Sequence, residues 1–263
     1  MSDPKVLYEV RGRTAWITLN RPDDLNCIDA DVAREILLAV EAAEADNDVR
    51  ALVFTGAGRA FCAGADLKYV LGILTGQDPE EVRRFMSNAR DLFARIAECE
   101  KPVIAAVNGI AAAGGCELIL ACDLAIAVEG AKIADAHANY GLLPGGGGAA
   151  RLPRKIGPAR AKYLLYTGEF VAVETLRDWG LINDVVPADR LIGEVEALTA
   201  KITAKSPLVI RRMKDLVDDG LDSSLRAALR GETKAWEAHA LAEDLKEGLT
   251  AFSEKRAPDY KGR

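Results

Sequence analysis

At 263 residues, with 49% hydrophobic and 28% charged residues, the chain has the make-up of a globular protein large enough for one sizeable core. A net charge of −6 without any basic tract excludes nucleic acid as its main partner, and no run of about 18 apolar residues offers a membrane span. The cysteines, Cys27, Cys62, Cys99, Cys116 and Cys122, form neither a metal-ligand pattern nor a Cys-x-x-Cys pair, so reduced thiols in a cytoplasmic setting and no metal site are expected. Residues 1–20 lack the apolar stretch of a secretory signal.

In chain order, strand-like apolar runs fall at Val6–Val10, Ala15–Leu19, Ala51–Thr55, Val103–Val107 and Leu124–Val128, with helical periodicity at Ala30–Asp46 and Glu80–Glu98. Strands alternating with helices predict an α/β fold built on a mainly parallel sheet. Leu71–Glu80, with Gly72, Gly76 and Pro79, reads as a mobile connection over a substrate entrance. Beyond Gly148 the pattern is helical, at Ala149–Ile156, Pro158–Thr167, Val173–Asp178, Arg190–Lys205, Pro207–Asp218, Leu221–His239 and Leu241–Arg256.

Two segments carry chemistry. Asn108-Gly-Ile-Ala-Ala-Ala-Gly-Gly-Cys-Glu117 follows the strand Val103–Val107 and opens a helix whose first-turn N–H groups have no partner within it. Free donors of this kind suit an oxygen that gains negative charge during a reaction. Glu117 stands one turn in, as an acid or base; the competing reading is tight strand–helix packing with Glu117 solvated. The second segment, Ala60-Phe-Cys-Ala-Gly-Ala-Asp-Leu-Lys68, leaves another strand through a similar small-residue turn, so that each segment can aim one N–H at a single carbonyl oxygen.

Together with Ile17-Thr-Leu-Asn-Arg-Pro22, Gly141-Leu-Leu-Pro-Gly-Gly-Gly-Gly148, Arg151-Leu152, Trp179-Gly-Leu181, Val185-Val-Pro187 and Phe252-Ser-Glu-Lys-Arg256, these segments resemble the enoyl-CoA hydratase/isomerase (crotonase) superfamily, in its order and nearly end to end. The resemblance implies a crotonase-like spiral of ββα units over residues 1–200 and a helical C-terminal region, residues 201–263, used for assembly and as a lid. It also implies a homotrimer or a hexamer made of two trimers, a part in fatty acid metabolism, and an acyl-CoA thioester substrate that brings coenzyme A with it, no further cofactor being needed.

Carried over by position, the backbone N–H groups of Ala65 and Gly114 form the oxyanion hole, and Glu117 matches the first catalytic glutamate. The second glutamate falls on His137, within Asp135-Ala-His-Ala-Asn-Tyr140, and this is the main departure from the family pattern. An imidazole titrates near neutrality and can serve as acid or base. Coenzyme A contacts carry over to Leu25, Ala63, Asp66, Leu67, Lys68, Phe252 and Lys255, while Asp23 stands where the family often has a basic residue. Asp135 reads as structural and His239 as a residue on a helix face.

Other chemistries find less support. Gly145–Gly148 lacks the following Gly-Lys-Ser/Thr and the dinucleotide fingerprint, so it reads as room for a helix end near the acyl pocket. No Gly-x-Ser-x-Gly setting exists for a serine nucleophile, and no histidine lies close in sequence to Cys62 or Cys116. Three readings stay open: hydration of a 2-enoyl-CoA, C–C hydrolysis of a β-keto, often cyclic, acyl-CoA by Glu117 and His137, or acyl-CoA binding without catalysis.

Overall fold

The computed structural model describes residues 4–263. The chain opens with an antiparallel hairpin of β1 (Val6–Arg11) and β2 (Thr14–Leu19), turned at Gly12 (φ +59°). β2 pairs in parallel with β3 (Ala51–Gly56), and β5 (Val103–Val107), β7 (Leu124–Val128) and β10 (Asp184–Val186) continue the parallel set, giving the strand order β1-β2-β3-β5-β7-β10. β3 and β5 read as unbroken apolar runs because both of their faces are covered. α1 (Ala30–Ala45) packs on β1 and β2, and α8 (Leu191–Thr203) packs on β3, β5 and β7. Trp16, Phe54, Ile17, Leu52 and Ile104 fill the core between them.

A second, smaller sheet sets the site. Its strands are β4 (Ala60–Cys62), β6 (Ile110–Ala112), β8 (Lys132–Ala134) and β9 (Val171–Ala172), parallel except for the last pair. Each turn of the chain places one strand in the large sheet and the next in the small one: β3 then β4, β5 then β6, β7 then β8. A helix usually follows, which is the ββα spiral expected from the family resemblance. Because β4, β6 and β8 are parallel neighbours, their carboxyl ends open side by side, and all the candidate catalytic residues follow those ends.

Three expectations are corrected. Leu71–Glu80 is not an open connection: α2 spans Leu67–Gly76, capped by Asp66, and α3 spans Pro79–Ala97, capped by Asp78 with Pro79 in its first turn. Gly72 sits inside α2 with nothing within 4 Å of a built Cβ, and the real break is left-handed Gln77 (φ +55°). The expected helix Leu221–His239 is two helices: α9 (Pro207–Leu221) ends there, and Ser224 caps α10 (Leu225–His239). The C-terminal half also returns twice to sheet, in β9 and β10, runs too short to show a period.

α9, α10 and α11 (Glu243–Glu254) project from this body. Among the described residues none of α9 is buried, and Met213, Val217, Leu221, Leu225, Leu229, Trp236, Leu249 and Phe252 are exposed along the three helices. The chain's end folds back onto them: buried Asp244 accepts from Ser206 Oγ and from the N–H groups of Lys261 and Gly262, and Arg50 donates to Tyr260 O. Among the described residues no helix is long and apolar enough to cross a membrane.

Candidate active site

The first component follows β4. Gly64 takes φ +98°, and the parallel bridge between Ile28 and Ala65 fixes the turn, with Ile28 N donating to Gly64 O (2.8 Å) and Asp66 N to Ile28 O (3.0 Å). Asp66 then caps α2 through Lys68 N and Tyr69 N and pairs with Arg21 (3.3 Å), which also holds Asp24 and Asp29. The second component follows β6, where Ala113 takes a strained φ of +48° and hands the chain to α4 (Gly114–Ala121). Gly115 presses on the end of β4 so closely that a built Cβ would stand 2.0 Å from Cys62 O. That contact brings the two turns together: a Cβ built on Gly114 would lie 3.6 Å from the Ala65 nitrogen. Among the described residues neither the Ala65 nor the Gly114 N–H donates to a protein acceptor, and Ala65 is partly exposed. Two fixed, unpaired donors side by side can hold one developing oxyanion.

Glu117 lies one turn along α4 and is 3% exposed. Its Oε1 accepts from Gly146 N (2.7 Å) and Gly148 N (2.9 Å), at the start of α5 (Gly148–Ile156). The Gly145–Gly148 run thus lets the start of α5 pack against Glu117 and also cradles its carboxylate. At Gly146 a built Cβ would meet Phe93 at 2.0 Å and Glu117 Oε2 at 2.9 Å, so glycine there is a steric requirement. Arg151, half-buried, braces the same turn by donating to Gly146 O (2.5 Å).

β8 delivers the third component. Left-handed Ala136 (φ +58°) makes a tight turn closed by His137 N donating to Asp135 O (2.8 Å), and so puts two side chains of β8's exit on one side. His137 Nδ1 lies 2.9 Å from Asp135 Oδ1, and its Nε2 lies 3.9 Å from Glu117 Oε2. Asp135 is therefore part of the site and not, as the sequence suggested, merely structural. The sequence concealed it because the contact depends on the left-handed turn at Ala136, a conformation that alanine does not announce.

Burial pushes the Glu117 carboxyl above its ordinary value, although the Gly148 N–H, His137 and the Gly146 N–H pull the other way. Burial pulls His137 down, but its hydrogen bond to Asp135 and the charges of Asp135 and Glu117 outweigh this and raise it overall. The thiols of Cys62 and Cys116 are fully buried; the first is pushed up to about 12 and the second is also raised, both by desolvation. Neither is a nucleophile at neutral pH.

Of the expected coenzyme A residues, Leu25, Ala63, Asp66, Leu67 and Lys68 gather around the exit of β4: Ala63 N donates to Leu25 O (3.0 Å), and Leu67 and Lys68 are exposed at the start of α2. Asp66's carboxylate is occupied by its cap and Arg21. Phe252 and Lys255 lie exposed at the far end of α11, and among the described residues no hydrogen bond or ion pair joins them to that group. His239, read as a residue on a helix face, lies at the end of α10 and is buried, its Nδ1 accepting from Arg212 Nη1 (2.7 Å).

The pattern of the enoyl-CoA hydratase/isomerase family matches residues 9–263. The chain belongs to that family. It is 36% identical to the crotonyl-CoA hydratase of Syntrophomonas wolfei over 261 residues, covering 99% of both chains. It is 35% identical to a short-chain-enoyl-CoA hydratase of Clostridium acetobutylicum over 252 residues, covering 95% of each. The crystal structure of an enoyl-CoA hydratase from Bacillus anthracis superposes with a TM-score of 0.93 at 36% identity, covering 98% of this chain and all of the other. Membership of the enoyl-CoA hydratase/isomerase family accounts for the spiral and for the paired turns after β4 and β6.

Proposed function

We propose that this protein adds water to a 2-enoyl-CoA thioester. The observation that carries this reading is the division of labour within Glu117: Oε1 is pinned by two backbone N–H groups, and Oε2 is left to face His137 Nε2, one helical turn from the free N–H of Gly114. The thioester oxygen accepts from Ala65 N and Gly114 N. Glu117 Oε2 takes a proton from water as the water oxygen bonds to the β-carbon. The electron pair of the double bond moves to the α-carbon and the thioester oxygen, and the resulting enolate rests on the two donors, each worth about 3 kcal/mol of barrier. His137 supplies the proton to the α-carbon, and Glu117 returns its own proton to the imidazole. The product is a 3-hydroxyacyl-CoA, and in this reading the reaction serves fatty acid metabolism in the cytoplasm.

Coenzyme A enters as part of the substrate, over Leu25, Ala63, Asp66, Leu67 and Lys68, with Phe252 and Lys255 reaching the nucleotide from a neighbouring subunit. The apolar residues left exposed on α9, α10 and α11 are the assembly surface of a trimer or of a hexamer of two trimers. In this reading residues 1–200 hold the chemistry and residues 201–263 the assembly.

One observation favours a second reading. The Asp135–His137 contact is a water-activating pair, suited to attack on the ketone of a β-ketoacyl-CoA with release of an enolate into the same hole. Mass-resolved turnover with enoyl-CoA and β-ketoacyl-CoA panels separates the two: gain of water on an intact skeleton supports hydration, and gain of water with a split chain or opened ring supports C–C hydrolysis.

A further inference from the structure

Asp135 is spent unlike the chain's other well-held aspartates. Asp29, Asp66, Asp123 and Asp244 each accept at least one backbone N–H, as carboxylates that cap helices or tie loops do. Asp135 is 1% exposed, its carboxylate's only hydrogen-bond partner among the described residues is His137 Nδ1, and its Oδ2 is buried without a partner. The chain accepts a left-handed Ala136 to make that contact. A Cβ built on Gly148 would lie 2.9 Å from Asp135 Oδ2, 3.0 Å from Pro144 Cβ and 3.3 Å from Glu117 Oε1, so both carboxylates stand against that glycine.

We propose that Asp135 is a positioning residue: it accepts the Nδ1 proton of His137, aims Nε2 at Glu117 Oε2, and with Glu117 keeps the imidazole charged so that it enters turnover as the acid. For its catalytic consequence this rests on the hydration reading; for its geometry it does not. Two buried carboxylates flank one imidazole, and the arrangement that pairs every charge but one is carboxylate, imidazolium, carboxylate. The imidazolium then gives its Nε2 proton to the α-carbon, leaving a neutral imidazole whose Nδ1–H stays on Asp135 and whose Nε2 recovers a proton from Glu117. Among the described residues no other group facing the cluster can take this part. From α4 come Glu117 and the inert thiol of Cys116, and from α5 comes Arg151, committed to Gly146 O. α6 (Pro158–Thr167), packed on the same turn, meets it through Asn139 Nδ2 donating to Gly168 O, while its Arg160, Lys162, Tyr163 and Tyr166 face solvent.

The chain has two histidines, which makes the test direct. Nitrogen-labelled histidine spectra of the whole protein, assigned with His239→Gln, read the tautomer and titration of each ring. His239 is the internal control, because Arg212 can only donate, which requires an unprotonated Nδ1 there. In the wild type, His137 is expected to carry Nδ1–H throughout and to titrate above an ordinary imidazole. In Asp135→Asn an amide N–H faces Nδ1, so His137 should titrate lower and switch to the Nε2–H tautomer. With enoyl-CoA, kcat should fall about 100-fold or more with KM changed less than about threefold, and the limb of the pH profile set by the acid should move to lower pH. An unchanged His239 spectrum shows that the variant is folded. A wild-type His137 in the neutral Nε2–H tautomer, or a titration indifferent to Asp135→Asn, overturns the proposal without reference to activity. If the wild type hydrates no thioester, the hydration reading falls, and the histidine spectra still decide this one.

Discussion

Glu117 Oε2 and His137 Nε2 face each other at 3.9 Å, and each side chain is held from behind: Glu117 by Gly146 and Gly148, His137 by Asp135. The gap exceeds a direct hydrogen bond, so at rest the two groups are not bonded to each other and both stay open to a bound water or substrate. Their environments are set by different partners, as the proposed split between a base and an acid requires.

Glu117→Gln keeps the acceptor for Gly146 and Gly148 and removes the proposed base. Turnover should fall by about 1,000-fold or more while the fold is kept. Stability should respond to pH with a definite sign. Because the folded-state value of Glu117 is raised above 4.5, its contribution is fully present below that pH and is lost as pH rises through the folded value. Thermal melts of the variant should therefore gain on the wild type as pH rises through the same range. A difference that does not vary with pH would contradict this.

His137→Glu places a third carboxylate against Asp135, which is already 1% exposed. The single substitution should lose most activity, whereas Asp135→Asn combined with His137→Glu should recover part of it, since the added carboxylate no longer meets a buried charge. Steady-state kinetics of both variants check this, and simple additivity of the two effects would refute the coupling.

Gly146→Ala should be among the most damaging single-methyl additions in the chain. The new Cβ meets Phe93 at 2.0 Å and Glu117 Oε2 at 2.9 Å, so α3 or the carboxylate must move. Overpacking of this kind costs about 1–3 kcal/mol. Melting and kcat should fall together, with kcat falling further than stability alone explains. Gly72→Ala, with open space around it, is the matched control and should raise stability slightly.

Leu229→Asp with Trp236→Asp should leave a folded chain of lower mass in sedimentation, because both side chains are more than half exposed in the single chain. If the assembly surface lies elsewhere, the sedimentation coefficient will not change.

Much of this architecture was legible in the residues. The strands of the large sheet were visible because full burial makes them continuous apolar runs, as at Leu52-Val-Phe54 and Val103-Ile-Ala105. The turn after β6 was visible because Gly and Ala crowd around one acid. The small sheet was not, since β4, β6 and β8 have three residues each, too few to show a period. The role of Asp135 depends on the left-handed turn at Ala136, and alanine gives no sign of that conformation. The cradle at Gly146 and Gly148 depends on the approach of α4 and α5, a tertiary contact with no local signature.

The most direct test of the central claim is turnover of the purified protein on 2-enoyl-CoA thioesters in isotopically labelled water, read by mass spectrometry alongside Glu117→Gln. The account predicts one labelled oxygen on an intact acyl skeleton, absent in the variant. Labelled oxygen in a cleaved carboxylate from β-ketoacyl-CoA substrates, with no hydration of the enoyl panel, would contradict it.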